Sequence, residues 1–102
     1  MVLLEFSMFP IGKGESLSPY VARALDIVDR SGLPYRCHAM GTTIEGEFDE
    51  VLDVVRECFH AMAEDCNRIE CSIKVDYRKD HAGLLESKIA SVEQKLGRPV
   101  HK

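Results

Sequence analysis

The segment Met40-Gly41-Thr42-Thr43-Ile44-Glu45-Gly46-Glu47 gathers two hydroxyls and two carboxylates between glycine bends. If the segment is extended, Thr43, Glu45 and Glu47 share one face. Carboxylates and hydroxyls accept hydrogen bonds from cationic or amino-bearing groups, so the grouping suits recognition of a cation or an amine. Glu45 lies opposite the core-directed Ile44, and Gly46 leaves room for close approach to the backbone. The same residues also fit a plain solvated strand, with Glu45 paired across to Arg36 or Lys74.

The other reactive side chains carry less. Four cysteines, Cys37, Cys58, Cys66 and Cys71, include no C-x-x-C pair, so neither a zinc ribbon nor a redox motif is written here. They are expected to act as small apolar side chains partly in the core, in a reducing compartment. The histidines, His38, His60, His81 and His101, form no H-x-H or H-x-x-x-H pair, so no metal site is expected. Gly12-Lys13-Gly14 lacks the rest of a phosphate-loop pattern and reads as a turn before a helix. Ser16 and Ser18 have no sequence-evident histidine partner, and no catalytic residue is assigned.

The elements that must position these residues are legible from periodicity. Residues 2–11 are rich in strand formers and stop at a glycine loop. Ser18-Pro19 predicts a helix start, with the serine as N-cap and proline at the first helical position. Val21, Ala24, Leu25 and Val28 recur at helical spacing, and Ser31-Gly32 ends the run. Leu33 to Met40 and Thr42 to Phe48 read as two strands joined tightly at Gly41. A second helix is expected from Asp49, with acids in its first turn and a stripe of Val51, Val55, Cys58 and Met62, broadened by Leu52 and Phe59. Ile69, Cys71, Ile73, Val75 and Tyr77 alternate with polar residues, which predicts a strand with one buried face. A last helix, Leu84 to Leu96, ends at Gly97.

Strand, helix, strand, strand, helix, strand is the α+β ferredoxin-like sandwich: a four-stranded antiparallel sheet with two helices on one face, here with an extra C-terminal helix. The second sheet face is expected to be open and polar, carrying Glu5, Ser7, Arg36, His38, Thr43, Glu45, Ser72, Lys74 and Asp76. A chain of 102 residues suits one domain, 1–102. The net charge of −4 works against nucleic acid and anionic membrane as partners. No apolar run approaches the roughly 18 residues of a membrane span, and the N-terminus lacks signal-peptide features. A cytoplasmic location is expected. On this fold a copper or zinc chaperone needs paired thiolates in the first loop, and an RNA-recognition module needs aromatics on central strands. An acyl-phosphate hydrolase needs an arginine cradle in the first loop. None of these patterns is present.

Three stretches, Ser16-Leu17-Ser18-Pro19-Tyr20-Val21-Ala22, Met40-Gly41-Thr42-Thr43-Ile44-Glu45-Gly46 and Ser72-Ile73-Lys74-Val75-Asp76-Tyr77-Arg78-Lys79-Asp80, occur in this order. Together they resemble the thiamine-binding-like family of small ferredoxin-like proteins, over about residues 3 to 96. The resemblance implies a non-enzymatic homotetramer, without a cofactor, that binds thiamine or its hydroxymethyl-pyrimidine part. Thiamine carries a cationic thiazolium and an aminopyrimidine, which Glu45 and Glu47 beside Thr42 and Thr43 suit chemically. Ser16 and Ser18 add hydroxyls at the first helix start. A structural or regulatory assembly module without a vitamin ligand is the alternative reading.

Overall fold

The computed structural model describes residues 1–101. Seven elements follow one another: β1 (Val2–Pro10), α1 (Ser18–Arg30), β2 (Tyr35–His38), β3 (Gly41–Gly46), α2 (Phe48–Ala63), β4 (Ile69–Tyr77) and α3 (Leu84–Leu96). The strands form one sheet in the order β2-β3-β1-β4, with every neighbouring pair antiparallel. This is the ferredoxin-like arrangement expected from the element order.

Alternation along β1 sets the two sheet faces. Val2, Leu4, Phe6 and Met8 are buried with Ile44 of β3 under α1 and α2. The helices contribute Ile27 and Val28 from α1, and Val51, Val54, Val55, Cys58 and Met62 from α2. The expected stripe of Val51, Val55, Cys58 and Met62 is buried, with Val54 beside it and Leu52 partly packed on it, whereas Phe59, expected to broaden it, is exposed. Burial pushes the Cys58 thiol up to about 11, so this cysteine acts as a small apolar core residue. Cys66 is also buried, whereas Cys37 and Cys71 are exposed.

Several boundaries depart from expectation for local reasons. Leu17, not Ser18, is the N-cap of α1, since its carbonyl already accepts the Val21 N–H at 3.1 Å; the Ser18 hydroxyl lies 3.3 Å from that of Ser16 and makes no cap bond. The second strand is only four residues long, since Leu33 and Pro34 lie in the connection from α1 and Ala39 and Met40 form the turn to β3. Tyr35 anchors it there by donating its phenol hydrogen to Asp29 Oδ1 at 2.9 Å, a bond that raises the Tyr35 pKa. The third strand ends at Gly46, and Phe48 already opens α2.

The largest correction concerns β4. Its apolar residues pair in register with the core residues of β1: Tyr77 with Val2, Val75 with Leu4, and Ile73 with Phe6. They therefore point to the core face, yet Ile73 is 47% exposed, Val75 39% and Tyr77 63%. The two helices cover β1 and β3 but leave this edge strand bare. Cys71, expected on a buried face, is exposed for the same reason.

The opposite sheet face is not fully open. The α3 helix returns across it, and Leu84 is buried against the sheet. Beyond that first turn Ile89, Val92 and Leu96 are exposed. The molecule measures 46 Å along its longest axis.

Candidate functional site

Two hollows flank the β2–β3 hairpin, one on each side of the sheet. The first, of about 300 Å³, lies between the first half of α1, the end of β1 and the hairpin. Phe9, Leu17, Val21, Leu25 and Met40 give it an apolar wall, with Thr42 and His38 as polar groups. The second, of about 470 Å³, is a cleft between α3 and β2, with Leu3, Leu85 and Ile89 among its apolar lining and Arg36, His38 and Thr43 at its polar side. Both volumes fall within the usual range of small-molecule sites.

The six residues singled out in the sequence go to three different places. Thr42 is buried on the core face and lines the α1 cavity. Ser16 and Ser18 stand on either side of Leu17, another lining residue, at the start of α1. Thr43 faces the other way and borders the cleft beneath α3. Glu47 does not share its strand face, because β3 has ended. It is the N-cap of α2, and its backbone N–H donates to Glu50 Oε1 at 3.0 Å.

Glu45 has a different task from the exposed recognition role expected of it. It is only 4% exposed, and its carboxylate accepts the backbone N–H of Leu84 at 2.8 Å and of Leu85 at 3.4 Å. These are orphan donors of the first turn of α3, so a strand residue caps a helix thirty-nine positions later. The negative carboxylate also sits at the positive end of the helix dipole. Neither Arg36 nor Lys74 pairs with it. Arg36 pairs with Glu86, and Lys88 pairs with Asp76, so two further ion pairs tie α3 to β2 and β4. The Lys88 ammonium lowers the Asp76 pKa.

Sequence reasoning passed over His38. Its Nδ1 is 3.3 Å from the Met40 backbone nitrogen, and its Nε2 is 3.3 Å from Glu5 Oε2. It also lines both hollows. No metal-ligand spacing flags it. The available signal was local: a histidine at a strand end, followed at once by a two-residue turn that closes on Gly41. Among the described residues, no cluster of three or more His, Cys, Asp or Glu is placed to hold a metal ion.

The molecule matches known proteins over nearly its whole length. The sequence pattern of the family described as "Thiamine-binding protein" matches residues 4–93. A UPF0045 protein of Methanocaldococcus jannaschii is 36% identical over 91 residues, covering 89% of this chain and 91% of the relative. A UPF0045 protein of Mycobacterium bovis is 40% identical over 99 residues, covering 96% and 97%. The crystal structure of a hypothetical M. jannaschii protein superposes with a TM-score of 0.84 at 35% identity, covering 91% of this chain and 96% of that one. A Thermotoga maritima protein provisionally assigned to thiamine biosynthesis or salvage shares the fold, with a TM-score of 0.79 at 24% identity, covering 89% and 97%. With the pattern matched from the first strand into the last helix, and relatives aligned over nine-tenths of the chain, this protein belongs to the thiamine-binding protein family.

Proposed function

We propose that this protein binds thiamine, or its hydroxymethyl-pyrimidine part, without changing it chemically, as a cytoplasmic homotetramer. The observation that carries the reading is the family match over residues 4–93, which includes the whole hairpin beside the α1 cavity. The provisional assignment of the T. maritima neighbour to thiamine metabolism points the same way. In this reading the aromatic heterocycle enters the α1 cavity, where Phe9, Leu25 and Met40 supply apolar contact and Thr42 a hydroxyl. Ser16 and Ser18 meet the polar end at the mouth. Thr43, also expected at the site, lies on the opposite sheet face in the cleft beneath α3 and does not reach a ligand in this cavity. Glu45 and Glu47, at the starts of α3 and α2, contribute negative potential favourable to a cationic ring.

Assembly is proposed from β4. It pairs on one side only, and its bare apolar face adjoins that free edge. Long, apolar edge strands are normally covered, so a second copy is the expected cover. Calorimetric titration with thiamine and with hydroxymethyl-pyrimidine tests the binding. Saturable heat with either ligand supports it. No heat and no thermal shift at millimolar ligand overturns it and leaves the assembly module as the better reading.

A further inference from the structure

His38 ends β2, and its imidazole is held from two sides. Nδ1 accepts the backbone N–H of Met40 at 3.3 Å, so it must carry a lone pair. The proton then sits on Nε2, which faces Glu5 Oε2 at 3.3 Å. β2 and β1 are not neighbours, because β3 lies between them. The ring crosses that strand at Gly41, its register partner. A Cβ at Gly41 would stand 2.8 Å from the Phe6 carbonyl oxygen, so β1 demands glycine here, and the His38 ring would meet that Cβ at an ordinary contact distance of 3.5 Å. Ala39 and Met40, the turn held by Nδ1, are walls of the α1 cavity.

We propose that His38 is the positioning residue of the α1 cavity, and that its hold on the Ala39–Met40 turn is released when the imidazole takes up a proton. The chemistry follows from the two contacts. Histidine ordinarily changes charge between about pH 5 and 8. A proton on Nδ1 turns that nitrogen from acceptor to donor, and the Met40 N–H loses its partner. The same proton makes the ring cationic, which tightens its pairing with Glu5. The ring therefore stays in place while the turn lets go.

The charged groups around the ring are consistent with this division. Glu5 of β1 is in contact with it, and Lys74 of β4 lies across from Glu5. Arg36 and Cys37 precede the ring on β2. Glu86, Lys88 and Glu93 of α3 face it across the cleft, with Glu86 held by Arg36, Lys88 by Asp76 and Glu93 accepting the Val100 N–H at 2.8 Å. Glu5 is thus the carboxylate placed to hold the imidazolium. Because one contact weakens as the other strengthens, melting temperature is a poor readout. The Met40 amide is a direct one.

The test is nuclear magnetic resonance on nitrogen-15-labelled protein between about pH 5 and 8, following the His38 ring nitrogens and the Met40 amide together. The expected result is an Nε2–H tautomer at high pH, and a Met40 amide resonance that moves with the same midpoint as the ring. His38→Asn places an oxygen near the Nδ1 position but does not titrate, so its Met40 amide should stay fixed. Glu5→Gln, which leaves the Nδ1 contact intact, should keep the coupling between ring and amide. An Nδ1–H tautomer, a Met40 amide indifferent to ring charge, or an equal shift in His38→Asn overturns the proposal.

A second measurement rests on the thiamine reading. Thiamine affinity should fall about fivefold more from pH 7.5 to 5.5 in the natural protein than in His38→Asn. An equal fall in both overturns the link to the cavity. Failure of thiamine to bind at either pH overturns the thiamine reading itself, and the amide experiment, which needs no ligand, still decides the role of His38.

Discussion

The carboxylate of Glu45, on a central strand, receives the backbone N–H of Leu84 at 2.8 Å and so holds the start of a helix on the far side of the sheet. Gly83, directly before Leu84, adopts φ 68°, a left-handed turn that aims the first helical N–H groups down at the sheet. Glu45 is thereby the fixed point about which α3 is arranged. Arg36–Glu86 and Lys88–Asp76 grip the following turn, but both pairs are exposed and contribute little by comparison.

Replacing Glu45 should therefore cost stability first. Glu45→Gln keeps one carbonyl acceptor but loses the charge, and should lower stability by about 1–2 kcal/mol; Glu45→Ala, which leaves both donors unsatisfied, should cost about 2–3 kcal/mol. For a domain of this size each kilocalorie lowers Tm by about 4–8 °C. Thermal melts together with thiamine calorimetry on Glu45→Gln separate the roles. A lower Tm with unchanged affinity identifies a helix cap. Weakened binding with an unchanged Tm identifies a ligand contact and defeats the capping account.

Gly41 should be equally sensitive for a steric reason. An added Cβ would stand 2.8 Å from the Phe6 carbonyl oxygen, which is backbone of β1 and cannot swing away. Gly41→Ala should cost about 1–3 kcal/mol in urea unfolding, the usual scale for forcing a methyl into filled space. It should also disturb the Met40 and His38 resonances. A variant as stable as the parent would mean that β3 shifts freely against β1.

The elements were legible because their periodicities are clean: α3 has the bounds that its apolar spacing and Gly97 predict, and the α2 stripe is the core stripe. What the sequence could not show was which faces would be covered. Alternation at Ile73, Val75 and Tyr77 signals two unlike faces, but a lone chain cannot say that the apolar one stays bare. Glu45 illustrates the same limit. Its place on the polar side of β3 is a local property, whereas its burial depends on where α3 lands thirty-nine residues later. His38 was missed because its partners, Glu5 and Met40, come from a strand two places away and from a turn, neither of which leaves a spacing pattern.

The Arg23–Asp65 pair makes a pH prediction. Asp65 Oδ1 and Oδ2 receive Arg23 Nη1 and Nη2 at 2.9 and 3.1 Å, a fork that joins α1 to the end of α2 and lowers the Asp65 pKa below its ordinary 3.8. The unfolded chain lacks the pair and protonates at the ordinary value. The stabilisation is thus fully present above 3.8 and is lost as pH falls through the lower folded value. Urea unfolding of the natural protein and Asp65→Asn should show a small difference at neutral pH that closes in acid. A difference that persists or grows below the carboxylate range would show that Asp65 acts through something other than Arg23.

The exposed face of β4 gives the last prediction. Ile73 and Val75 are exposed by 47% and 39%, on the sheet face that β1 buries. In a single chain, placing lysine at either site should cost little, about 0.5–1 kcal/mol, because each side chain is already about half exposed and the lysine stem covers much of the same apolar surface. In an assembly, the same change buries a charge between copies or keeps them apart, and charged edges are a standard means of preventing strand pairing. The natural protein should scatter light as a particle about four times the chain mass of 11.5 kDa. Ile73→Lys with Val75→Lys should shift that mass towards a smaller species while leaving the circular dichroism spectrum of the sheet unchanged. A natural protein of 11.5 kDa at micromolar concentration would remove the proposed assembly altogether. A tetramer unmoved by both lysines would place its contacts elsewhere, with the bare stripe of Ile89, Val92 and Leu96 on α3 the next surface to charge.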